Sequence, residues 1–206
     1  MRKYVIFDFD GTLADSQEVF VSSLNKLAEK HRFDKVQVED LEDLKKLSIK
    51  ERCKMLNFPM YKMPFIIPQM YKLYLDGIRD VKLFNGVKEL LAELYAKGYE
   101  IAIISSNSEE NIRTFLNENQ ISIVSQVLCS SKIFGKDKLL NRFMKENQLS
   151  PSEIIYVGDE ERDILACKKA GVDIIWVGWG YDATDMVQEV EPTYKAFEPQ
   201  DILAII

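Results

Sequence analysis

The sequence has few of the residues that mark several common kinds of functional site. It contains one histidine, His31, and three widely spaced cysteines, Cys53, Cys129 and Cys167. Without a Cys-x-x-Cys pair, these residues indicate neither a zinc centre nor a disulfide framework, and we expect buried, reduced thiols. His31 lies far from every motif described below, which disfavours histidine-based catalysis.

Long apolar runs and an excess of positive charge are also absent. The apolar run after Met-Arg-Lys breaks at Asp8, too early for a signal peptide, and no stretch approaches the roughly 18 apolar residues of a membrane helix. With 27 basic and 33 acidic residues the net charge is −6, which disfavours a nucleic-acid partner. We expect a soluble, cytoplasmic protein without a nucleic-acid or membrane partner. The sequence does not indicate an oligomeric state.

What the sequence does contain is an alternation of short apolar strands and amphipathic helices. This alternation predicts an α/β fold with a doubly wound parallel sheet. A helical segment separates the first strand from the others, so we predict a core of residues 1–13 and 82–206 and a small inserted helical cap domain of residues 14–81. The predicted strands are Tyr4–Phe7, Glu100–Ser105, Gln126–Cys129, Ile154–Val157 and Ile174–Val177.

Within residues 14–81 the pattern predicts helices and no strand. Asp15 and Glu18 have the spacing of a capping box at the start of the first helix. Three prolines interrupt the segment Asn57–Pro68, which predicts a broken, loop-rich stretch. A helix is expected to resume over Met70–Ile78.

Two carboxylates directly follow the first strand, at Asp8 and Asp10, and Gly11 then provides a turn. Two close anions repel each other, and their burial is unfavourable unless a cation neutralises them. Ligands in open α/β sheets bind at the carboxyl ends of the strands. The sequence therefore predicts a cation site at that edge of the sheet.

Other chemically active residues are predicted at the same edge. One strand ends in Ser105-Ser106-Asn107, and another ends in Gly158-Asp159, with Asp163 four residues later. Lys136 lies at the start of a helix that follows a further strand. Glu160 and Glu161 are interpreted as acids that complement a helix N-terminus.

This set of residues is typical of phosphoryl transfer. Asp8 and Asp159 can share Mg²⁺, which takes one or two carboxylates plus waters and phosphate and reduces the repulsion between a carboxylate and a phosphate. Ser105 and the backbone amides that follow it can hold phosphate oxygens, and Lys136 adds positive charge. Asp10 can protonate the leaving oxygen and later activate water.

Four segments resemble the motifs of the haloacid dehalogenase superfamily, in the order and spacing of that family. The run Asp8-Phe9-Asp10-Gly11-Thr12-Leu13-Ala14-Asp15-Ser16 resembles the first motif, and Ile101-Ala102-Ile103-Ile104-Ser105 resembles the second. Lys136 matches the third, and Gly158-Asp159-Glu160-Glu161-Arg162-Asp163 resembles the fourth. The subgroup that the chain resembles most is that of phosphoglycolate-phosphatase-like hydrolases with a helical cap.

The resemblance implies a Mg²⁺-dependent phosphatase that hydrolyses a small phosphate monoester, phosphoglycolate-like or a sugar phosphate. Asp8 would form an aspartyl-phosphate, and Asp10 would act as general acid and base. The implied catalytic residues are Asp8, Asp10, Ser105 and Lys136. The implied phosphate-binding residues are Ser105, Ser106, Asn107 and Lys136. The implied metal ligands are Asp8, the backbone carbonyl of Asp10, Asp159 and Asp163.

Several alternatives stay open at this point. This chain lacks the Lys-Pro pair of many relatives, so Lys138 is an alternative to Lys136 as the third-motif lysine. A phosphosugar mutase would use the same four motifs. A haloacid dehalogenase is disfavoured because its chemistry has no need of Asp10, and a non-catalytic binding module is disfavoured because every motif residue is present. The sequence does not identify the phosphate ester.

Overall fold

The structure is a computed structural model that describes residues 2–130 and 135–206. The predicted core ranges, 1–13 and 82–206, include residues 1 and 131–134, which lie outside the described residues. The strands are β1 (Tyr4–Phe7), β2 (Ala14–Asp15), β3 (Lys82–Leu83), β4 (Glu100–Ser105), β5 (Val124–Cys129), β6 (Ile154–Gly158), β7 (Asp173–Val177) and β8 (Tyr194–Ala196). The helices are α1 (Gln17–His31), α2 (Leu41–Leu44), α3 (Ile49–Met55), α4 (Met63–Asp76), α5 (Val87–Ala96), α6 (Glu109–Glu118), α7 (Lys136–Glu146), α8 (Glu161–Ala170), α9 (Thr184–Gln188) and α10 (Pro199–Ile205).

Six of the strands form a parallel sheet in the order β5-β4-β1-β6-β7-β8. The first strand lies inside the sheet, where Tyr4 pairs with Glu100 on one side and with Ile154 on the other. Residues of β1 are apolar without alternation because helices cover both faces of the sheet. The prediction of an α/β fold with a parallel sheet is confirmed.

Successive residues of β1 divide between two core layers. Val5 and Phe7 point into the layer that α5, α6 and α10 cover, where Phe115 of α6 is also fully buried. Ile6 points into the opposite layer, with Phe143 of α7. This two-sided packing holds β1 between β4 and β6, so the carboxyl ends of these three strands lie side by side.

A helical segment, hereafter the insert (residues 14–81), covers part of this edge. Helices α1 and α4 pack on each other through a small apolar cluster that includes Leu27, Ile66 and Met70. The insert also contains a strand that the sequence did not indicate, since Ala14 and Asp15 pair antiparallel with β3. Two residues are too few to show a strand period, which explains the wrong prediction of an insert without strands.

Two further predictions for the insert are wrong. Helix α4 begins at Met63 rather than Met70, and Pro68 lies inside it. Pro64 is tolerated because amide groups in the first turn of a helix have no intrahelical partner. At the start of α1 the capping residue is Ser16, not Asp15, and its side chain makes no capping hydrogen bond. The Ser16 hydroxyl instead donates to Asp10, as described below.

The sheet also extends beyond the last predicted strand. Strand β8 pairs parallel with β7, but two of its three residues are exposed, so its sequence carries little apolar signal.

The three cysteines form no disulfide. Cys167 is buried, whereas Cys53 and Cys129 are partly exposed, so burial was correctly predicted only for Cys167. Among the described residues, no helix combines the length and apolar character needed to cross a membrane.

Candidate active site

A buried lysine joins two carboxylates at the carboxyl edge of the sheet. The Lys136 ammonium, at the first residue of α7, donates to Asp8 Oδ2 and to Asp163 Oδ1, both at 2.6 Å. All three residues are 3 % exposed or less. Lys138, the alternative from the sequence, is exposed to solvent. The structure therefore brings Lys136 to Asp8.

The charges of this group alter the pKa values of its members. Burial alone would lower the pKa of Lys136, but Asp163 and Asp8 raise it to about 12, so the side chain remains an ammonium. Burial raises the pKa of Asp163 to about 7, although Lys136 opposes the change. The lysine thus stabilises two carboxylates that would otherwise repel each other.

Asp10 lies in a network of neutral donors. Its Oδ1 accepts hydrogen bonds from Ser16 Oγ at 2.6 Å and from the Tyr74 hydroxyl at 2.8 Å, and its Oδ2 accepts from Asn107 Nδ2 at 2.9 Å. Burial nevertheless raises the pKa of Asp10, and the negative charge of Asp8 adds to the effect. Tyr74 was not predicted, because this residue comes from α4 in the insert, 64 residues away along the chain.

Asp159, at the end of β6, fits closely against two glycine loops. Its carboxylate accepts from Thr12 Oγ1 at 2.9 Å and from the Tyr181 backbone amide at 2.7 Å. A Cβ atom at Gly11 would lie 2.2 Å from Asp159 Oδ2, and one at Gly180 would lie 2.2 Å from Asp159 Cβ. Only glycine leaves room for this carboxylate at both positions. The loop around Gly180 therefore contacts Asp159 directly.

Besides Lys136, three residues were expected to bind phosphate, and their side chains point in different directions. Ser105 is 1 % exposed, and its Oγ accepts from the Asn107 amide at 3.1 Å. Ser106 Oγ accepts from Arg162 at 3.2 Å, whereas the Asn107 side chain contacts Asp10. Strand β4 thus places Ser105 at the edge beside β1, and it directs its two neighbours towards other charged residues.

One group of carboxylates at this edge could hold a divalent cation, and it includes Asp8 and Asp163, two of the ligands that the resemblance implies. One oxygen each from Asp8, Glu160 and Asp163 lies within 4.8 Å of the other two. The oxygens of Asp159 and Asp10 already accept hydrogen bonds from the donors described above. From the sequence, Glu160 was interpreted only as a helix-terminal acid. In the structure one of its oxygens lies within 4.8 Å of oxygens of Asp8 and Asp163, two of the predicted ligands.

The charge balance of the edge also favours a divalent cation at this site. Burial raises the pKa of Asp159 well above its usual value, and the charges of Glu160, Asp8 and Asp163 raise it further. Arg162 donates to Glu160 at 2.7 Å and to Ser106 Oγ at 3.2 Å. Among the described residues, five carboxylates meet here (Asp8, Asp10, Asp159, Glu160 and Asp163), and Lys136 and Arg162 form ion pairs with members of this group. Such an excess of buried anionic oxygen suits a hard cation such as Mg²⁺.

Comparisons with known proteins identify the family of this chain. The sequence profile of the haloacid dehalogenase-like hydrolases matches residues 5–177, which include all four motifs. The chain belongs to this family. The resemblance inferred from the motifs is thereby confirmed, and so is the prediction of a hydrolytic enzyme of this family.

Two curated relatives match along nearly the whole chain. The phosphoglycolate phosphatase of Synechococcus elongatus is 29 % identical over 203 residues, covering 98 % of this chain and 96 % of the relative. The pyrophosphatase PpaX of Halalkalibacterium halodurans is 25 % identical over 211 residues, covering 98 % and 95 %. A solved haloacid dehalogenase-like hydrolase from Streptococcus pneumoniae has the same fold, with a TM-score of 0.83, 19 % identity and coverage of 99 % and 98 %.

Proposed function

We propose that this protein is a Mg²⁺-dependent phosphatase that hydrolyses a small phosphate monoester through an aspartyl-phosphate on Asp8. The observation that carries the proposal is the buried Asp8 at the end of β1, held by Lys136 at 2.6 Å, with Asp10 two residues later. The names of the two curated relatives, a phosphoglycolate phosphatase and a pyrophosphatase, support phosphoryl hydrolysis.

The metal ligands that we propose are Asp8, the backbone carbonyl of Asp10, Asp159 and Asp163, and the position of Glu160 adds it as a candidate. Bound Mg²⁺ would reduce the electrostatic repulsion between the attacking carboxylate and the phosphate. The family uses such an ion generally, and the buried carboxylates of this edge are consistent with one.

The chain's own residues supply the remaining chemistry. An Asp8 oxygen attacks phosphorus, the bond from phosphorus to the leaving oxygen breaks, and Asp10 gives a proton to that oxygen. Water then attacks the phosphorus of the aspartyl-phosphate, and Asp10 takes the proton, which releases inorganic phosphate and restores Asp8. Lys136 balances the charge of Asp8 and the phosphate, and Ser105 donates to a phosphate oxygen.

The insert is proposed to act as a cap over this edge. It contributes Tyr74 to the surroundings of Asp10, and the Tyr71 hydroxyl donates to the Ser106 carbonyl at 2.6 Å. We propose residues 14–81 as the cap domain and residues 1–13 and 82–206 as the catalytic core. The substrate would be a small phosphorylated metabolite that reaches the edge beneath the insert.

The proposal is tested by measuring phosphate release from p-nitrophenyl phosphate with Mg²⁺ and with a chelator. We expect turnover that chelation abolishes and Mg²⁺ restores. Asp8→Asn should lower the rate on the order of 10³-fold or more, because the amide is a poor nucleophile. The matched control is Asp185→Asn, which changes an exposed carboxylate of α9. Metal-independent turnover, or an Asp8→Asn variant with unchanged activity, would contradict the proposal.

A further inference from the structure

A cavity of about 310 Å³ lies between the insert and the carboxyl edge of the sheet. At one end it is lined by Asp10, Ser106 and Arg162 of the core. The rest of its wall is mainly aliphatic and aromatic, with side chains such as Leu24, Ile67 and Met70 from α1 and α4. The cavity is therefore continuous with the proposed catalytic site, and it begins beside Asp10, the residue proposed to protonate the leaving oxygen.

The basic side chains that line this cavity already have acidic partners. Lys45 pairs with Glu42 at 3.1 Å, Arg52 pairs with Asp182, and Arg162 pairs with Glu160. The carboxylates of Asp10 and Glu160 face the same cavity. An anionic leaving group would therefore meet the negative charges of Asp10 and Glu160 at the inner end, and the charge of each lining cation is already partly balanced by a carboxylate.

The volume of the cavity indicates how large a group it can hold. A cavity of about 150 Å³ lined by Leu, Ile and Phe side chains stays dry and accepts benzene. The present cavity has roughly twice that volume, which leaves room for an alcohol of about ten carbon atoms. A glycolate leaving group is much smaller and carries a negative charge, so it suits this space poorly.

We propose that the substrate is a phosphate monoester of an uncharged, chiefly apolar alcohol, whose hydrocarbon part occupies this cavity. This inference rests on the proposed phosphatase function, because it assigns the cavity to the leaving group. The phosphate lies at the Asp8 end, and the alcohol extends beneath the insert between α1 and α4.

The first test measures binding, independently of turnover. Methyl-, butyl-, hexyl- and octylphosphonate are titrated into the full chain with Mg²⁺ by calorimetry. We expect the affinity to rise by about fourfold for each added methylene until the cavity is filled. In parallel, phosphate release is measured from the matching alkyl phosphates and from 2-phosphoglycolate, and kcat/KM should rise along the series and exceed the value for 2-phosphoglycolate.

A pair of variants on α4 tests the location. Ile67→Trp fills the cavity, whereas Phe65→Trp introduces the same side chain at a position that is 71 % exposed and outside the cavity wall. We expect Ile67→Trp to weaken octylphosphonate binding by tenfold or more while methylphosphonate binding stays unchanged. Phe65→Trp should behave like the wild-type chain. Thermal unfolding checks that both variants fold, and the wild-type series decides the matter if Ile67→Trp does not.

The outcomes separate this inference from the proposed function. An affinity that does not change with chain length, or a preference for 2-phosphoglycolate, would overturn the apolar leaving group even if every ester is hydrolysed. Chain-length-dependent binding without phosphate release from any ester would instead overturn the phosphatase while supporting an apolar ligand in the cavity.

Discussion

Lys136 determines the electrostatics of the site because one ammonium group contacts two buried carboxylates. Its hydrogen bonds to Asp8 and Asp163 are both 2.6 Å long, and none of the three side chains is open to solvent. A charge-assisted hydrogen bond of this kind holds the carboxylate in one orientation. The Asp8 carboxylate therefore has little freedom to turn.

Replacing Lys136 should lower kcat far more than replacing its neighbour Lys138. Lys136→Ala is expected to lower kcat by about 10²-fold or more, because the negative charges of Asp8 and the phosphate lose their cation. Lys138→Ala should leave kcat within about twofold, since that side chain is exposed and surface substitutions have small effects. Steady-state phosphate release from both variants, with circular dichroism to check folding, provides the comparison. Equal losses in the two variants would contradict the assignment of Lys136.

The single residues also show what a sequence can and cannot reveal. Asp8, Asp159 and Ser105 were predicted to meet at one edge because each lies at or just after the end of an apolar strand, and parallel topology brings such ends together. Tyr74 and Tyr181 were missed, since their contacts with Asp10 and Asp159 depend on how distant segments pack. No short motif describes a contact between residues that far apart.

Helix α4 shows that a rule based on local sequence can predict the wrong extent of a helix. Three prolines suggested a broken segment, but α4 continues through Pro68 because Ile66, Met70 and Tyr74 form a buried face at helical spacing. Tertiary packing of that face outweighs the unfavourable proline. The helix then places Tyr74 beside Asp10, so its unexpected length matters for the site.

The two prolines of α4 should differ in their effect on stability. Pro68→Ala is expected to raise the free energy of unfolding by about 1–3 kcal/mol, because it restores an amide donor within the helix at an exposed position. Pro64→Ala should change it by less than about 1 kcal/mol, since first-turn amides have no intrahelical partner. Urea denaturation of both variants measures the difference. A larger gain from Pro64→Ala than from Pro68→Ala would contradict this account of α4.

On the scale of the whole molecule, Asp182 joins the insert to the core. One carboxylate oxygen pairs with Arg52 of α3, and the other accepts from the Glu161 amide at the start of α8 at 2.7 Å. The next residue, Ala183, donates its amide to the Lys45 carbonyl of the insert at 3.0 Å. The segment after β7 therefore connects the proposed cap to the helix that carries Asp163.

Loss of this ion pair should loosen the insert. Arg52→Gln is expected to reduce stability by about 1–3 kcal/mol, because it leaves the Asp182 carboxylate buried without its cation. Amide hydrogen exchange should become faster in α3 and stay unchanged in α5, which packs on the far side of the core. The control is Lys46→Gln, which removes an exposed pair with Asp43 within the insert and should have no measurable effect. Unchanged exchange in α3 of Arg52→Gln would contradict a role for this contact in holding the insert.

The α/β architecture and the order of its motifs were predictable, because each strand and helix carries its own apolar pattern. The cavity beneath the insert was not, since its wall comes from separate helices and the core, and only their packing creates the space. The fold and the carboxylate edge thus depend on local sequence, whereas the shape of the cavity depends on how the insert lies on the sheet.

The central claim is that Asp8 accepts the phosphoryl group. The most direct measurement is rapid acid quench during turnover of an aryl phosphate with Mg²⁺, followed by mass spectrometry of the peptides. We predict a phosphoryl group on the Asp8 side chain that forms before the bulk of phosphate is released, and that is absent from Asp8→Asn. Phosphate release from the wild-type chain with no phosphorylated peptide, or with the phosphoryl group on another residue, would contradict the account.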